Sequence, residues 1–391
     1  MKILCINAGS STVKFQLFEM PEEKVLVSAN FERIGDEGSF YTIKLNDEKL
    51  KKEVFLENHE IAVKLFLDEL VNLKIINSLD DINGVGHRVV QGADLYDKSV
   101  LVDEKVIKDI ESLISLAPLH NFANLTGIKI IMKMLPNVLN VVSFDTAFHQ
   151  TMKKEQYIYP IPYEWYTNYK VRRYGAHGTS HKYLYNTMQN ILKKDNIKVI
   201  TCHLGSGASI SAIDNNKVVA TSMGFTPLGG ISMGTRSGDV DPSIIPYVMK
   251  KTNKNIDELV NDLNKNSGFL GVAGVADSRD IEDGIKRGDE RCRLAQDIFV
   301  NRVIAFIGHY YLLLNKPDAI VFSAGIGENS PLTRKEIIDK LNCLNIYIDE
   351  ATNNVRGKIQ KISSEKSEVL CYIIPTDEEV MIARDTYKLI S

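Results

Sequence analysis

Apolar and polar positions alternate within the first twenty residues. The stretch "ILCINAGSSTVKFQLF" (residues 3–18) sets two apolar runs around Asn-Ala-Gly-Ser-Ser-Thr, and beyond the turn Val13, Phe15 and Leu17 alternate with Lys14 and Gln16. A period of two on the far side of a turn predicts strand, turn, strand. Similar apolar runs ending in glycine-rich or polar turns predict strands at 2–6, 84–90, 138–144, 198–202 and 319–322. Amphipathic patterns between them predict helices near 60–73, 180–192, 256–264 and 333–341. The longest pattern, 289–314, carries an apolar stripe through Leu294, Ile298, Val303 and Phe306. Such mixing indicates an α/β fold.

One internal comparison organises the chain. Setting "CINAGSSTVKF" beside "TCHLGSGASIS" puts Asn7 on His203, Gly9 on Gly205 and Ser10 on Ser206. Each turn is entered by an apolar strand and left by an alternating one, at an offset close to half the chain. Two related domains, each with a Gly-Ser hairpin, are expected. A third glycine-rich turn, "AGIGENS", follows the apolar run "AIVFS", with Ser330 and Pro331 suited to cap and open the next helix.

Composition narrows the class. A chain of 391 residues with 44% apolar and 25% charged residues has the makeup of a globular protein with room for two domains. Its formal net charge of -3 gives no electrostatic case for nucleic acid or a membrane surface. Five scattered cysteines, none in a Cys-x-x-Cys pair, suit a reducing compartment. The apolar start is too short for a signal peptide and no run reaches the length of a membrane span, so a cytoplasmic location is expected.

Glycine at a strand end lets another group approach the backbone, and exposed N–H groups and hydroxyls can then hold phosphate oxygens. Three such turns point to a nucleotide site. The P-loop and dinucleotide fingerprints are both missing. Arg88 in "GHRVVQGAD" and Arg236 in "GGISMGTRSGDVDP" lie among glycines, a setting suited to gripping a carboxylate or phosphate. Asp145 in "VVSFDTAFH" ends an apolar strand, where α/β folds place groups that face ligands. His177 and His181 have the spacing of a zinc pair. The intervening Gly-Thr-Ser reads instead as a loop and an N-cap at Ser180. "GISMG" matches a hydrolase nucleophile motif at Ser232, but its flanks are rich in helix and strand breakers, so Ser232 is expected in a loop.

Ten segments in order now identify a resemblance: "NAGSS-x-x-K", "GHRVV-x-GA", "APLHN", "FDTAFH", "RYG-x-HGTSH", "HLG-x-G", "TSMG-x-TPL", "MGTRSGD-x-DP", "GIGEN" and "PTDEE". The chain resembles the acetate kinase family along its whole length. The resemblance implies two duplicated ribonuclease-H-like domains of the actin-like ATPase type with an active-site cleft between them. Domain I would comprise 1–148 plus 379–391, and domain II 149–378. ATP and ADP would be co-substrates, with Mg²⁺ as cofactor and Mn²⁺ able to substitute. Asn7 and Glu378 would lie near the metal, and Lys14 near nucleotide phosphate. The nucleotide would also be held by His203, Leu204, Gly205, Ser206 and Gly207, by Asp277, Ser278 and Arg279, and by Gly325, Ile326, Gly327, Glu328 and Asn329. Acetate would meet Arg88 and the apolar positions Val90, Leu119, Ala176 and Pro227. A homodimer formed through domain II is also implied, with no nucleic-acid or membrane partner.

The chemistry can be argued without the family. A carboxylic acid, with a pKa of about 4 to 5, is already ionised at neutral pH and needs no strong base. The difficulty is electrostatic: two unit charges about 4 Å apart repel by roughly 4 kcal/mol at an effective dielectric near 20. Fixed cations offset this repulsion and stabilise the in-line transition state. Arg88 is therefore assigned to the carboxylate and nearby phosphate, and Arg236 and His177 to the transferring phosphoryl group. Asp145 would position Arg88 or the metal. The alternatives are a propionate or butyrate kinase, since Ala176 stands where many relatives have Phe, a serine hydrolase using Ser232, and a regulatory ATP-binding protein.

Overall fold

A computed structural model of the chain describes residues 1–46 and 48–391, without the side chain of Leu119. The chain divides into two compact units: one of Met1–Gln150 with Asp377–Ser391, the other of Thr151–Thr376. Glu378, assigned from sequence to the second domain, thus belongs to the first unit.

The first unit is built on strands β1 (Lys2–Ala8), β2 (Thr12–Glu19), β3 (Lys24–Glu32), β4 (Phe40–Leu45), β5 (Glu48–Glu53), β6 (Ile82–Val89), β7 (Val100–Leu101) and β8 (Leu139–Phe144). They form one sheet in the order β5-β4-β3-β2-β1-β6-β8-β7. β1 is antiparallel to β2 and parallel to β6, which is parallel to β8. The central β1 is apolar nearly throughout because both of its faces are covered. In β2, Val13, Phe15 and Leu17 are buried and Lys14 is exposed, the expected alternation. The outer β5 is exposed throughout and rich in Lys and Glu, which blunts the open edge.

The second unit carries β9 (Lys198–Leu204), β10 (Ala208–Asp214), β11 (Lys217–Thr221), β12 (Ala319–Ser323), β13 (Gln360–Lys361) and β14 (Leu370–Ile373). Their order is β11-β10-β9-β12-β14-β13. The five from β11 to β14 in that order repeat the first unit's plan: β9 is antiparallel to β10 and parallel to β12, which is parallel to β14. Both sheets therefore share a core order of third, second, first, fourth, fifth strand, with the second alone reversed. This is the ribonuclease-H-like arrangement. Asn7 and His203 hold matching places, each one residue before the end of the first strand. The first hairpin loop is one residue longer, since Ala8 pairs with Val13 but Leu204 with Ala208.

Glycines decide how the C-terminal helix Glu378–Ile390 packs on β6. A Cβ at Gly84 would collide with Ile390, and one at Gly86 with Thr386 and Ile382. The helix seats against bare backbone, which explains "NGVGHRV". On one face of this unit's sheet Phe15 stacks on Phe66 of the helix His59–Asn72 at 4.3 Å between ring centroids.

Three local expectations are corrected. The helix Glu290–Leu313 buries Cys292, Ala295, Phe299, Val303, Ile307 and Tyr310, whereas Leu294 is 52% exposed. Of the expected stripe Val303 is buried in the core and the half-buried Phe306 packs against it. "AGIGEN" is a short helix, Ala324–Asn329, rather than a turn. The helix Gly178–Leu192 starts before Ser180, and its N-cap is His177 in a left-handed conformation (φ 59°). Ser330 and Pro331 do cap and open the helix Pro331–Asp339, Ser330 accepting from the Thr333 N–H. Among the described residues no helix is long and apolar enough to cross a membrane.

Candidate active site

In the first unit the polar groups gather where parallel strands end, the usual place for a ligand site in such sheets. Asn7 is the last but one residue of β1, Arg88 sits near the end of β6, Asp145 follows β8, and Glu378 opens the C-terminal helix. Arg88 donates from Nε to Asp145 Oδ1 at 3.0 Å and from Nη2 to Oδ2 at 2.7 Å. Its Nη1 lies 3.4 Å from Asn7 Oδ1, and Glu378 Oε2 is 3.8 Å from Nε. Burial works against the Arg88 charge, but the carboxylates of Asp145 and Glu378 outweigh it and raise its pKa further. Burial, with Asp145 and Glu379 nearby, pushes Glu378 up to about 7 against the pull of Arg88 and Lys14.

Two asparagines that were not singled out from sequence hold this corner in place. On the helix Pro118–Met134, Asn121 bonds both the N–H and the carbonyl of Gln91, the N–H at 3.0 Å and the carbonyl at 2.9 Å. Asn124 accepts from Val90 N–H at 3.1 Å and donates to Ala8 carbonyl at 2.7 Å. The ends of β1 and β6 are thus tied to one helix. The signal was present as two Asn three residues apart, on one helical face.

The residues fit a divalent cation of the magnesium type. Such ions take oxygen donors, commonly one or two carboxylates completed by substrate phosphates and water. Asn7, Asp145 and Glu378 offer oxygen donors, and the burial and neighbouring carboxylates that raise Glu378 are what a bound cation would offset. Among the described residues no group of three or more His, Cys, Asp or Glu is placed to hold a metal ion.

In the second unit the hairpin tip after β9 faces two sets of residues. Gly205 and Ser206 line a cavity of about 580 Å³ together with Asp277, Ser278, Arg279, Gly325, Ile326 and Asn329. Three of the expected nucleotide segments thus share one pocket. Its wall also includes Glu282, Asp283, Lys286, Ser330 and Arg356, which sequence reasoning missed. The first three recur at helical spacing behind Asp277, which caps the helix Ser278–Lys286. Hydrogen bonds from Arg279 hold the Asp277 carboxyl down at about 2.

Gly327 and Glu328 do not line the cavity. Gly327 is pressed against the backbone of Phe322, where a Cβ would lie 3.2 Å from its carbonyl carbon. Glu328 Oε1 accepts from Ala324 N–H at 2.8 Å and Thr376 N–H at 3.1 Å, bracing the segment from inside. Leu204 is buried in this unit's apolar core, which leaves only its backbone for a ligand.

Gly207, at the same tip, faces the second set. A Cβ there would lie 3.3 Å from Arg236 Nη1 and 3.5 Å from His177 Nε2. Arg236 is half-buried, and burial lowers its pKa. Among the described residues it forms no ion pair, its bonds going to Pro227 carbonyl at 3.3 Å and Met233 sulfur at 3.6 Å. A sequestered guanidinium with no carboxylate partner is arranged for an anionic ligand. His203 stacks on His177 at 4.2 Å between ring centroids. His181 is engaged at both ring nitrogens, by Thr201 and Ser209, so His177 and His181 are no zinc pair.

The remaining expected residues are spread over the two units. Lys14 is exposed on β2 and Val90 follows β6 in the first, while Ala176, 3% exposed, and Pro227 belong to the second. The side chain of Leu119 lies outside the described residues. Ser232 sits in irregular chain between β11 and the helix Ile244–Met249, without the strand and helix of a nucleophile elbow.

A sequence profile described as the acetokinase family matches residues 2–384. An acetate kinase of Aster yellows witches'-broom phytoplasma (strain AYWB) is 50% identical over 390 residues, 100% of this chain and 95% of that protein. Acetate kinase 2 of Listeria monocytogenes serotype 4b (strain F2365) is 50% identical over 387 residues, 98% of each. The crystal structure of Porphyromonas gingivalis acetate kinase superposes with a TM-score of 0.95 at 42% identity over 100% of both chains. A propionate kinase from Francisella tularensis subsp. tularensis SCHU S4 also reaches 0.95, at 40% identity over 99% of both. With a profile match along nearly its whole length and relatives that share half its residues, the chain belongs to the acetokinase family.

Proposed function

We propose that the protein is an acetate kinase, transferring the ATP γ-phosphoryl group reversibly and directly to acetate to give acetyl phosphate and ADP. The observation that carries this reading is the hairpin tip 205–207. Its first two residues line the cavity of about 580 Å³, and its third meets Arg236 and His177. A nucleotide in that cavity would have its terminal phosphate beside a guanidinium that lacks a carboxylate partner.

Acetate arrives ionised, so no residue need remove a proton from it. Arg88, oriented by Asp145, is the cation for the carboxylate. Arg236 and His177 take the charge that develops on the equatorial phosphoryl oxygens. Mg²⁺, with Mn²⁺ as a substitute, would be held by Asn7, Asp145 and Glu378, and when bound it neutralises nucleotide phosphate charge. The reading requires the Arg88 and Arg236 groups to serve one pair of reactants. The expected cleft between domains, and its closure to exclude water, belong to this proposal.

Ala176 supports turnover of propionate or butyrate as side reactions, since one methylene alters binding by only about 1–3 kcal/mol. A cytoplasmic homodimer is the expected state. Exposed apolar side chains of the second unit, including Tyr163, Trp165, Tyr169, Tyr247 and Ile256, suit such an interface.

A hydroxamate assay for acyl phosphate, run with acetate, propionate and butyrate and with ATP or pyrophosphate, tests the reading. Acetate with ATP is expected to give the highest kcat/KM. Ser232→Ala is expected to keep full kinase activity; a hydrolase activity of the protein that this substitution abolished would favour the hydrolase reading.

A further inference from the structure

Behind His177 lies a chain of hydrogen-bonded hydroxyls and imidazoles. His177 Nδ1 is 2.9 Å from Ser209 Oγ, which is 2.8 Å from His181 Nε2, and His181 Nδ1 is 2.7 Å from Thr201 Oγ1. Thr201, His181 and Ser209 are each 0% exposed, so bulk water does not reach them.

We propose that this chain is a polarised relay which fixes His177 as the tautomer protonated on Nε2, a neutral donor aimed at the phosphoryl position. The proposal rests on the reading of His177 given above. Each hydroxyl has one proton to give, so the direction set at one end fixes the other. At the far end the Thr201 hydroxyl has two acceptors, His181 Nδ1 at 2.7 Å and Ser211 carbonyl at 3.5 Å. Only the first has the length of a normal O–H···acceptor bond. Thr201 therefore donates to His181 Nδ1, leaving the His181 proton on Nε2 to donate to Ser209. Ser209, its oxygen already accepting, donates its own proton to His177 Nδ1. The remaining His177 proton must be on Nε2, the atom that faces Gly207 beside Arg236. A doubly protonated His181 would still donate at Nε2 and impose the same sense on Ser209.

The opposite polarity would leave Nε2 with a lone pair turned towards an anionic oxygen. It would also direct the buried Thr201 hydroxyl into a bond too long to count. Ser209, His181 and Thr201 are thus positioning residues, acting through His177. The spacing in "HGTSH" has a purpose other than metal binding. It places His177 at the N-cap and His181 one turn later, with Ser209 between their rings.

The test uses full-length protein labelled with ¹⁵N-histidine and long-range ¹H–¹⁵N spectra, with the His177 signals assigned by their loss in His177→Gln. The wild type is expected to show the proton on Nε2. Ser209→Ala is expected to mix the tautomers and to lower kcat by about 10-fold with both KM values nearly unchanged. Ser209→Thr, which keeps the hydroxyl, is expected to restore the tautomer and most of the activity. A wild-type proton on Nδ1 overturns the relay, and that spectrum decides even if Ser209→Ala fails to fold. An unchanged tautomer in a folded Ser209→Ala overturns it equally. Full activity in His177→Gln would instead remove His177 from the reaction, an outcome separate from the tautomer result.

Discussion

Arg88 is committed to Asp145 through two of its three nitrogens, at 3.0 Å from Nε and 2.7 Å from Nη2. Only Nη1 turns elsewhere, towards Asn7. The pair is nearly closed to water on the acid side, with the Asp145 side chain 1% exposed. Asp145 therefore aims the arginine, which agrees with a substrate that needs no proton removed.

Asp145→Asn removes the charge that orients Arg88 while keeping the shape. Turnover is expected to fall by roughly 10²-fold, the scale of a misplaced catalytic group. A pH series from neutral to alkaline is expected to give no recovery. Activity that returns on raising the pH would show that Asp145 acts as a base.

Arg236→Ala is expected to lower kcat on the order of 10³-fold while the KM for acetate changes little, because its partner charge develops only in the transition state. Steady-state kinetics with acetate varied at saturating ATP give the split. A raised KM with unchanged kcat would move Arg236 to ground-state acetate binding.

His87 titrates in a window that can be worked out. Burial lowers its pKa from 6.5 to about 4, against a bond between Nε2 and Asn140 Oδ1. The unfolded chain thus binds the extra proton first as pH falls. The stability contributed by neutral His87 is fully present above 6.5 and is lost progressively as pH drops towards 4. The expected loss across that range is about 3 kcal/mol. Denaturant melts at several pH values measure it, and His87→Gln is expected to flatten that part of the profile.

Gly86→Ala would set a methyl group against Thr386 and Ile382 of the C-terminal helix. A stability loss of about 1–3 kcal/mol is expected from overpacking, with a fall in activity because that helix begins at Glu378. Gly308→Ala is the contrast: a Cβ there meets nothing within 4 Å. Inside the helix Glu290–Leu313 it is expected to be neutral or to stabilise by up to about 1 kcal/mol. Thermal melts of both variants check the pair.

The sequence alone determined what short-range chemistry controls. The alternation of Val13, Phe15 and Leu17, the Ser330–Pro331 cap and the two Gly-Ser hairpins were legible because strand period, capping and turn formation depend on neighbours within a few residues. Matching Asn7 to His203 foresaw the repeated strand order for the same reason. Tertiary structure decided which of several equivalent local options was used. The helix Glu290–Leu313 has apolar residues on more than one face, so only its packing partners could select Phe299 and Ile307 over Leu294. Glu328 was expected beside the nucleotide, and only the fold could show that one of its carboxylate oxygens accepts from the backbone N–H groups of Ala324 and Thr376. Ser209 had no local mark of its role, because the two imidazoles it bonds come from a helix distant in sequence. A side chain's type and period are written in the sequence, whereas its partner is set by which elements the fold brings beside it.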